Sequence, residues 1–194
     1  MRCANLTRTT LETDITMTLA IDGTGTVSIN TGVGFFDHML NSFCRFGHFD
    51  LEINAEGDLH VDQHHLVEDC GIVLGQAFKE ALGDKLGIER VADCLFPMDE
   101  ALIQAAVDIS NRGYLTWHVD CPQGMVGDFP TELAEEFFRA FALNAGITLH
   151  IRMLDGKNRH HILEAVFKAV GRVLGLAVAE NKRFDGVLST KGSL

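Results

Sequence analysis

Polar and apolar positions alternate along residues 10–21 (TLETDITMTLAI), the period of a strand with one wet face. Asp22–Gly25 (DGTG) reads as a turn and Thr26–Asn30 as a short second strand. The period then changes: Phe36, Met39, Leu40, Phe43 and Cys44 recur at the three- and four-residue spacing of one helix face. Alternation returns over Phe49–Ala55 and closes at Gly57 and Asp58. Residues from Asp62 to Leu82 read as a long helix ending near Gly83.

The rest of the chain repeats this rhythm. Ala101–Ile109 and Tyr114–Val119 read as strands. Thr131–Asn144 reads as a helix with Thr131 as N-cap and Leu133, Phe137, Phe138 and Phe141 as its apolar side. Ile147–Met153 is a strand, Asp155 and Gly156 a turn, and Asn158 a cap for a last helix carrying Ile162, Val166, Val170 and Val173. Each half therefore reads β-β-α-β-α. His64-His65-x-x-Glu68 recurs as His160-His161-x-x-Glu164 at a constant offset of 96, and FDLEI at 49–53 aligns with ITLHI at 147–151. The pattern predicts an internal duplication, with a first half over 1–90, a second over 91–194 and a single functional unit overall. Strands with helices on one face make this an α+β fold. A half of five elements is marginal alone, so the halves should bury one another.

Composition narrows the function. The chain has 194 residues, 46% hydrophobic and 22% charged, with a net charge of -11. That is enough for one large domain or two small ones packed together. No apolar run approaches the ~20 residues of a membrane span, and MRCANLTRTT lacks the apolar core of a signal peptide. An acidic chain without a basic cluster is a poor nucleic-acid binder. The cysteines (Cys3, Cys44, Cys70, Cys94 and Cys121) are odd in number and form no CxxC. They are expected to be reduced thiols of a cytoplasmic protein, mostly small core residues.

Histidine is the unusual feature, with nine in the chain and most of them clustered. Residues four apart share a helix face, whereas neighbours diverge by about 100°. His64 and Glu68 can therefore meet one ion while His65 points elsewhere; His160, Glu164 and His161 repeat the arrangement. Two copies predict a two-metal arrangement drawn from His38, His64, His65, Glu68, His150, His160, His161 and Glu164. Ions sharing one group typically lie ~3.5–4 Å apart, and a bridging imidazole would hold them further apart. This mixed imidazole and carboxylate set suits Mn, Fe, Co, Ni or Zn rather than Ca. Four ligands per ion leave open positions on an octahedral metal, a catalytic pattern. Taken singly, a His-His pair is a surface accident and an i,i+4 His–Glu contact is worth only a few tenths of a kcal/mol; the duplication is what favours metal. His48, His60 and His118 read as ordinary histidines. Lys168 continues the stripe of His160 and Glu164, which makes it either a helix salt bridge or a cation set for an anionic substrate group.

FFDHMLNSF at 35–43, LHVDQHHLVEDCGI at 59–72, FPMDEAL at 96–102, GITLHIR at 146–152, GKNRHHILEAVFKA at 156–169 and STKG at 189–192 closely resemble the imidazoleglycerol-phosphate dehydratase family, in order and over nearly the whole chain. The resemblance implies a hydro-lyase of L-histidine biosynthesis with two Mn²⁺ per active site. It implies a duplicated fold of the ribosomal protein S5 domain 2-like kind, each half a four-stranded sheet with helices on one face. It also implies a homo-oligomer of roughly 24 subunits with metal sites between them, and no phosphatase domain of the kind some members carry. Carried onto this chain, the metal ligands are the eight residues above. Glu12 contacts the reacting part of the substrate, and Arg90, Arg112, Lys168, Ser189 and Lys191 hold its phosphate. Glu12, then Asp99, is the candidate for proton transfer, through a metal-bound imidazolate and a diazafulvene-like intermediate, with Glu164 among the catalytic residues. Three departures stand out: Phe46 where His is expected, Leu66 for a common Thr, and Asn111-Arg112-Gly113 for Gly-Arg-Pro. A dinuclear metallohydrolase and a non-catalytic metal-binding assembly protein are the rival readings.

Overall fold

The structure, a computed structural model, describes residues 1–183 and 185–193. The first sheet contains β1 (Cys3–Thr9), β2 (Thr13–Ala20), β3 (Val27–Asn30) and β4 (Asp50–Gly57), with α1 (Gly34–Gly47) between β3 and β4 and α2 (His64–Leu82) after β4. The second contains β5 (Val91–Met98), β6 (Ala101–Asp108), β7 (Tyr114–His118) and β10 (Thr148–Asp155), with α3 (Leu133–Ala145) before β10 and α4 (Arg159–Ala177) after it. Strand orders are β1-β2-β4-β3 and β5-β6-β10-β7, the same topology twice. In each sheet the strand before the first helix pairs in parallel with the strand after it, and the other pairings are antiparallel. Among the described residues no helix is long and apolar enough to cross a membrane.

Each four-stranded sheet carries one strand more than the hydrophobic pattern reveals. Both added strands, β1 and β5, lie at sheet edges. An edge strand needs few apolar residues, and β1 buries only Ala4 fully. In β5, Pro97 interrupts an apolar run, and proline is tolerated there because an edge strand can spare one N–H. Thr131 is not the cap of α3. The capping position is Glu132, without a side-chain bond, while Thr131 is buried and its hydroxyl accepts from the Gly124 N–H. Asn158 does cap α4, accepting from the N–H groups of His160 at 2.9 Å and His161 at 3.4 Å. A small hairpin, β8 (Met125–Val126) and β9 (Phe129–Pro130), lies in the long β7–α3 connection.

The four helices of the described residues lie between the sheets. α2 packs on β1 and β2, α4 on β5 and β6, α1 against α4, and α2 against α3. A helix covered by a sheet on one side and a helix on the other is apolar around most of its surface, as α4 is from Ile162 to Ala177. The two helix pairs approach to backbone contact. A β-carbon on Gly75 would stand 2.6 Å from the Phe141 carbonyl oxygen, and one on Gly175 2.6 Å from that of Gly47. One on Gly171 would overlap the Phe43 carbonyl oxygen. Gly75 and Gly171 are related by the same offset of 96 as the histidine motifs. Only glycine lets the backbones approach so closely.

Gly171→Ala is therefore expected to lower the free energy of unfolding by about 3 kcal/mol or more, as overpacking against backbone does. Gly34→Ala, whose added methyl meets nothing within 4 Å, should not. Denaturant unfolding of the two variants checks this, and equal stabilities would sink the close-packing account.

Candidate metal centre

The site is built where α1 crosses α4. His38 stands on the exposed side of α1, off its buried stripe, as its position in the helix period requires. His160 and Glu164 share a face of α4 one turn apart. The Glu164 carboxylate receives all its neighbours at once: His160 Nε2 at 3.0 Å, His38 Nε2 at 3.5 Å and Lys168 Nζ at 2.7 Å. The carboxylate is buried, which works to raise its pKa. The Lys168 ammonium, with His38 and His160, overcomes that and holds it below the usual glutamate value. Phe35 walls the group, its ring 5.1 Å from that of His160. One ring nitrogen of each histidine and a carboxylate oxygen lie within 4.8 Å of one another, a donor set suited to a divalent transition metal.

The first half differs. His64 Nε2 lies 3.9 Å from Glu68, and both side chains are nearly half exposed. Among the described residues no third donor joins them in one group. The adjacent histidines point away from these pairs, as the helix period requires. His65 Nδ1 is 3.0 Å from Asp58 Oδ2 and 3.7 Å from Glu12, and these three form the second group of possible donors. His161 Nδ1 lies 2.8 Å from Glu100, and its Nε2 3.6 Å from Asp99. Both histidines are pushed above the usual imidazole pKa, each chiefly by its hydrogen bond, to Asp58 and to Glu100. Glu100 is lowered to about 2, first by the His161 bond and then by the Asn158 N–H.

His150 stands apart from both groups. It is exposed on the second sheet, in a cavity of about 250 Å³ with Gln104, Thr116, His118 and Arg152. Thus a single chain gathers three of the eight candidate ligands, pairs two more, and leaves His65, His161 and His150 facing elsewhere.

The expected phosphate residues divide likewise. Arg90, Arg112, Ser189 and Lys191 line one cleft of about 820 Å³ with Val187 and Leu188. Arg90 has a left-handed backbone and is already engaged there. Its guanidinium grips Asp108 through two nitrogens, at 2.7 and 3.0 Å, and donates to the Leu188 carbonyl at 2.5 Å. It holds the 187–191 segment in place, while Arg112, 68% exposed, is far less engaged. Lys168 is not in this cleft; it spans Glu164 and the face of Phe46, 5.3 Å from the ring centroid. Leu66 is fully buried, so it cannot touch a substrate.

Sequence reading missed Phe35, Asp58 and Glu100. Glu12 and Glu100 each immediately precede the second strand of their sheet, but they are 88 residues apart rather than the 96 that relates the histidine motifs, so only the fold shows them to be equivalent. Asp58 becomes relevant only through the fold around His65.

A family model described as imidazoleglycerol-phosphate dehydratase matches residues 31–174. The imidazoleglycerol-phosphate dehydratase of Desulfitobacterium hafniense is 65% identical over 194 residues, covering all of this chain and 99% of the relative. That of Pelobacter propionicus is 57% identical over 193 residues, with 100% and 99% covered. The crystal structure of the Staphylococcus aureus enzyme superposes with a TM-score of 0.84 at 41% identity, covering 92% of this chain and 99% of that one. The Pyrococcus furiosus structure gives 0.84 at 39% identity, with 97% and 100% covered.

In chelator-stripped protein titrated with Mn²⁺, His160→Ala is expected to lower affinity at least about tenfold. His48→Asn, at a left-handed helix end remote from the donor groups, should leave it unchanged. Electron paramagnetic resonance of free Mn²⁺ reads both; unaltered binding by His160→Ala would remove that residue from the centre.

Proposed function

The chain belongs to the imidazoleglycerol-phosphate dehydratase family, and we propose that it dehydrates D-erythro-imidazoleglycerol phosphate to imidazoleacetol phosphate, a step of L-histidine biosynthesis. The observation that carries this reading is the pair of His-His-x-x-Glu motifs on equivalent helices, one of which brings His38, His160 and Glu164 onto one point. On this reading His38, His64, His65, Glu68, His150, His160, His161 and Glu164 would hold two Mn²⁺ ions per active site. The dispersal of these residues within one chain supports sites shared between subunits, in a homo-oligomer of roughly 24 copies. A cytoplasmic location accords with such an assembly.

When bound by these residues, Mn²⁺ would supply Lewis acidity that eases loss of the imidazole N–H proton. The substrate then loses hydroxide from the carbon attached to the ring, leaving a diazafulvene-like ring that makes the neighbouring C–H acidic. Glu12 takes that proton, and the enol tautomerises to the ketone; one water leaves in all. Glu12 is suited to this because it sits beside His65 yet, at 3.7 Å, makes no hydrogen bond to it. Asp99, 73% exposed beside His161 in a left-handed backbone conformation, is the second candidate. Arg112, Ser189 and Lys191, in the cleft that Arg90 braces, hold the phosphate and orient the substrate. Lys168 balances the Glu164 carboxylate beside the reacting end.

Chelator-stripped protein should convert imidazoleglycerol phosphate only after Mn²⁺ is restored. Absence of conversion in metal-loaded, assembled protein would overturn the reading, and hydrolysis of simple phosphate esters would favour a metallohydrolase instead. Glu12→Gln should keep metal and assembly while kcat falls by about 10²- to 10⁴-fold. Full turnover by that variant would take Glu12 out of the mechanism.

A further inference from the structure

We infer that Glu100 is a positioning residue for His161, fixing the proton on Nδ1 and so presenting Nε2 as the metal donor. The inference rests on the metal-centre reading above. Glu100 is fully engaged. One carboxylate oxygen accepts from the backbone N–H groups of Asn158 at 2.7 Å and Lys157 at 3.3 Å, and the other lies 2.8 Å from His161 Nδ1. The carboxylate is thus anchored to the loop whose last residue, Asn158, caps the helix that begins with the histidines. A carboxylate only accepts, so Nδ1 must donate, and the lone pair of the neutral ring is left on Nε2. Ligating histidines are commonly oriented in this way, and removal of the orienting group weakens metal binding about 10- to 100-fold.

The duplication explains why this task falls to Glu100. In the first half, the residue following β4 is Asp58, which holds His65 Nδ1 at 3.0 Å. The residue following β10 is Gly156, which has no side chain to offer. Glu100 reaches His161 from the β5–β6 turn instead. Its counterpart Glu12 is relieved of the task by Asp58 and remains 55% exposed. One ancestral position has thus separated into a positioning carboxylate in the second half and a free one in the first.

The competing role for Glu100 is a purely structural clamp on the Lys157–Asn158 loop, and a double-mutant cycle separates the two. Mn²⁺ affinity and thermal unfolding without metal are measured for Glu100→Gln, His161→Ala and the double variant, each as the assembled protein. Glu100→Gln should weaken Mn²⁺ binding about 10- to 100-fold, and His161→Ala at least as much. The double variant should bind no more weakly than His161→Ala. Full affinity in Glu100→Gln, or an undiminished further loss in the double variant, overturns the inference. If His161→Ala itself binds Mn²⁺ normally, the metal-centre reading fails at that residue and takes this inference with it. Should Glu100→Gln not assemble, Glu100→Asp replaces it, keeping the charge while shortening the reach to Nδ1.

Discussion

Everything in this molecule depends on how closely α1 can approach α4. His38 belongs to the first half and His160 and Glu164 to the second, so the candidate metal-binding group exists only because two helices from different halves cross at contact distance. Gly171 and Gly175 of α4 lie directly on the carbonyl oxygens of Phe43 and Gly47. A methyl group there would push the helices apart, and the candidate ligand atoms must lie within a few ångströms of one another to share an ion. Gly71 and Gly75 secure the α2–α3 contact in the same way, against Phe137 and Phe141. Packing and chemistry are thus set by the same few positions.

On this common frame the halves have diverged in electrostatics. The α4 carboxylate concentrates charge: buried, it is met by the His160 imidazole and Lys168 ammonium of its own half and by the His38 imidazole of the other. A buried carboxylate is costly unless it is paired, and its three partners meet that need. Ile72 stands where the duplication would place a second lysine, so the first half leaves His64 and Glu68 exposed and without such a partner. Were that pair to take donors from outside the chain, as the shared-site proposal requires, its exposure would leave room for them. Metal binding and assembly would then reinforce one another.

The departures from the family pattern have distinct physical contexts. Phe46 packs edge-on against Phe96 at 5.1 Å and offers its face to Lys168. Such a contact contributes about 0.5–1 kcal/mol and fixes an ammonium that a protonated histidine would repel. Leu66 fills the core against Gly57, whose added β-carbon would come within 3.0 Å of it. Its effect is on the packing beneath the first motif. Asn111 adopts a left-handed backbone, a conformation that asparagine tolerates better than most residues.

Local periodicity was enough to reveal the duplicated order of strands and helices, the apolar faces of α1, α3 and α4, the Asn158 cap and the divergence of adjacent histidines. Each of these depends on residues a few positions apart, whose relation is set by helix or strand geometry. The edge strands β1 and β5 escaped because an edge buries too little to leave a pattern. The gathering of His38 with His160 and Glu164, the separation of Lys168 from the Arg90 cleft, the isolation of His150 and the hold of Glu100 on His161 were decided by tertiary structure alone. They depend on helix crossing and strand register between segments distant in the chain, and one chain's local pattern contains no information about where such segments meet.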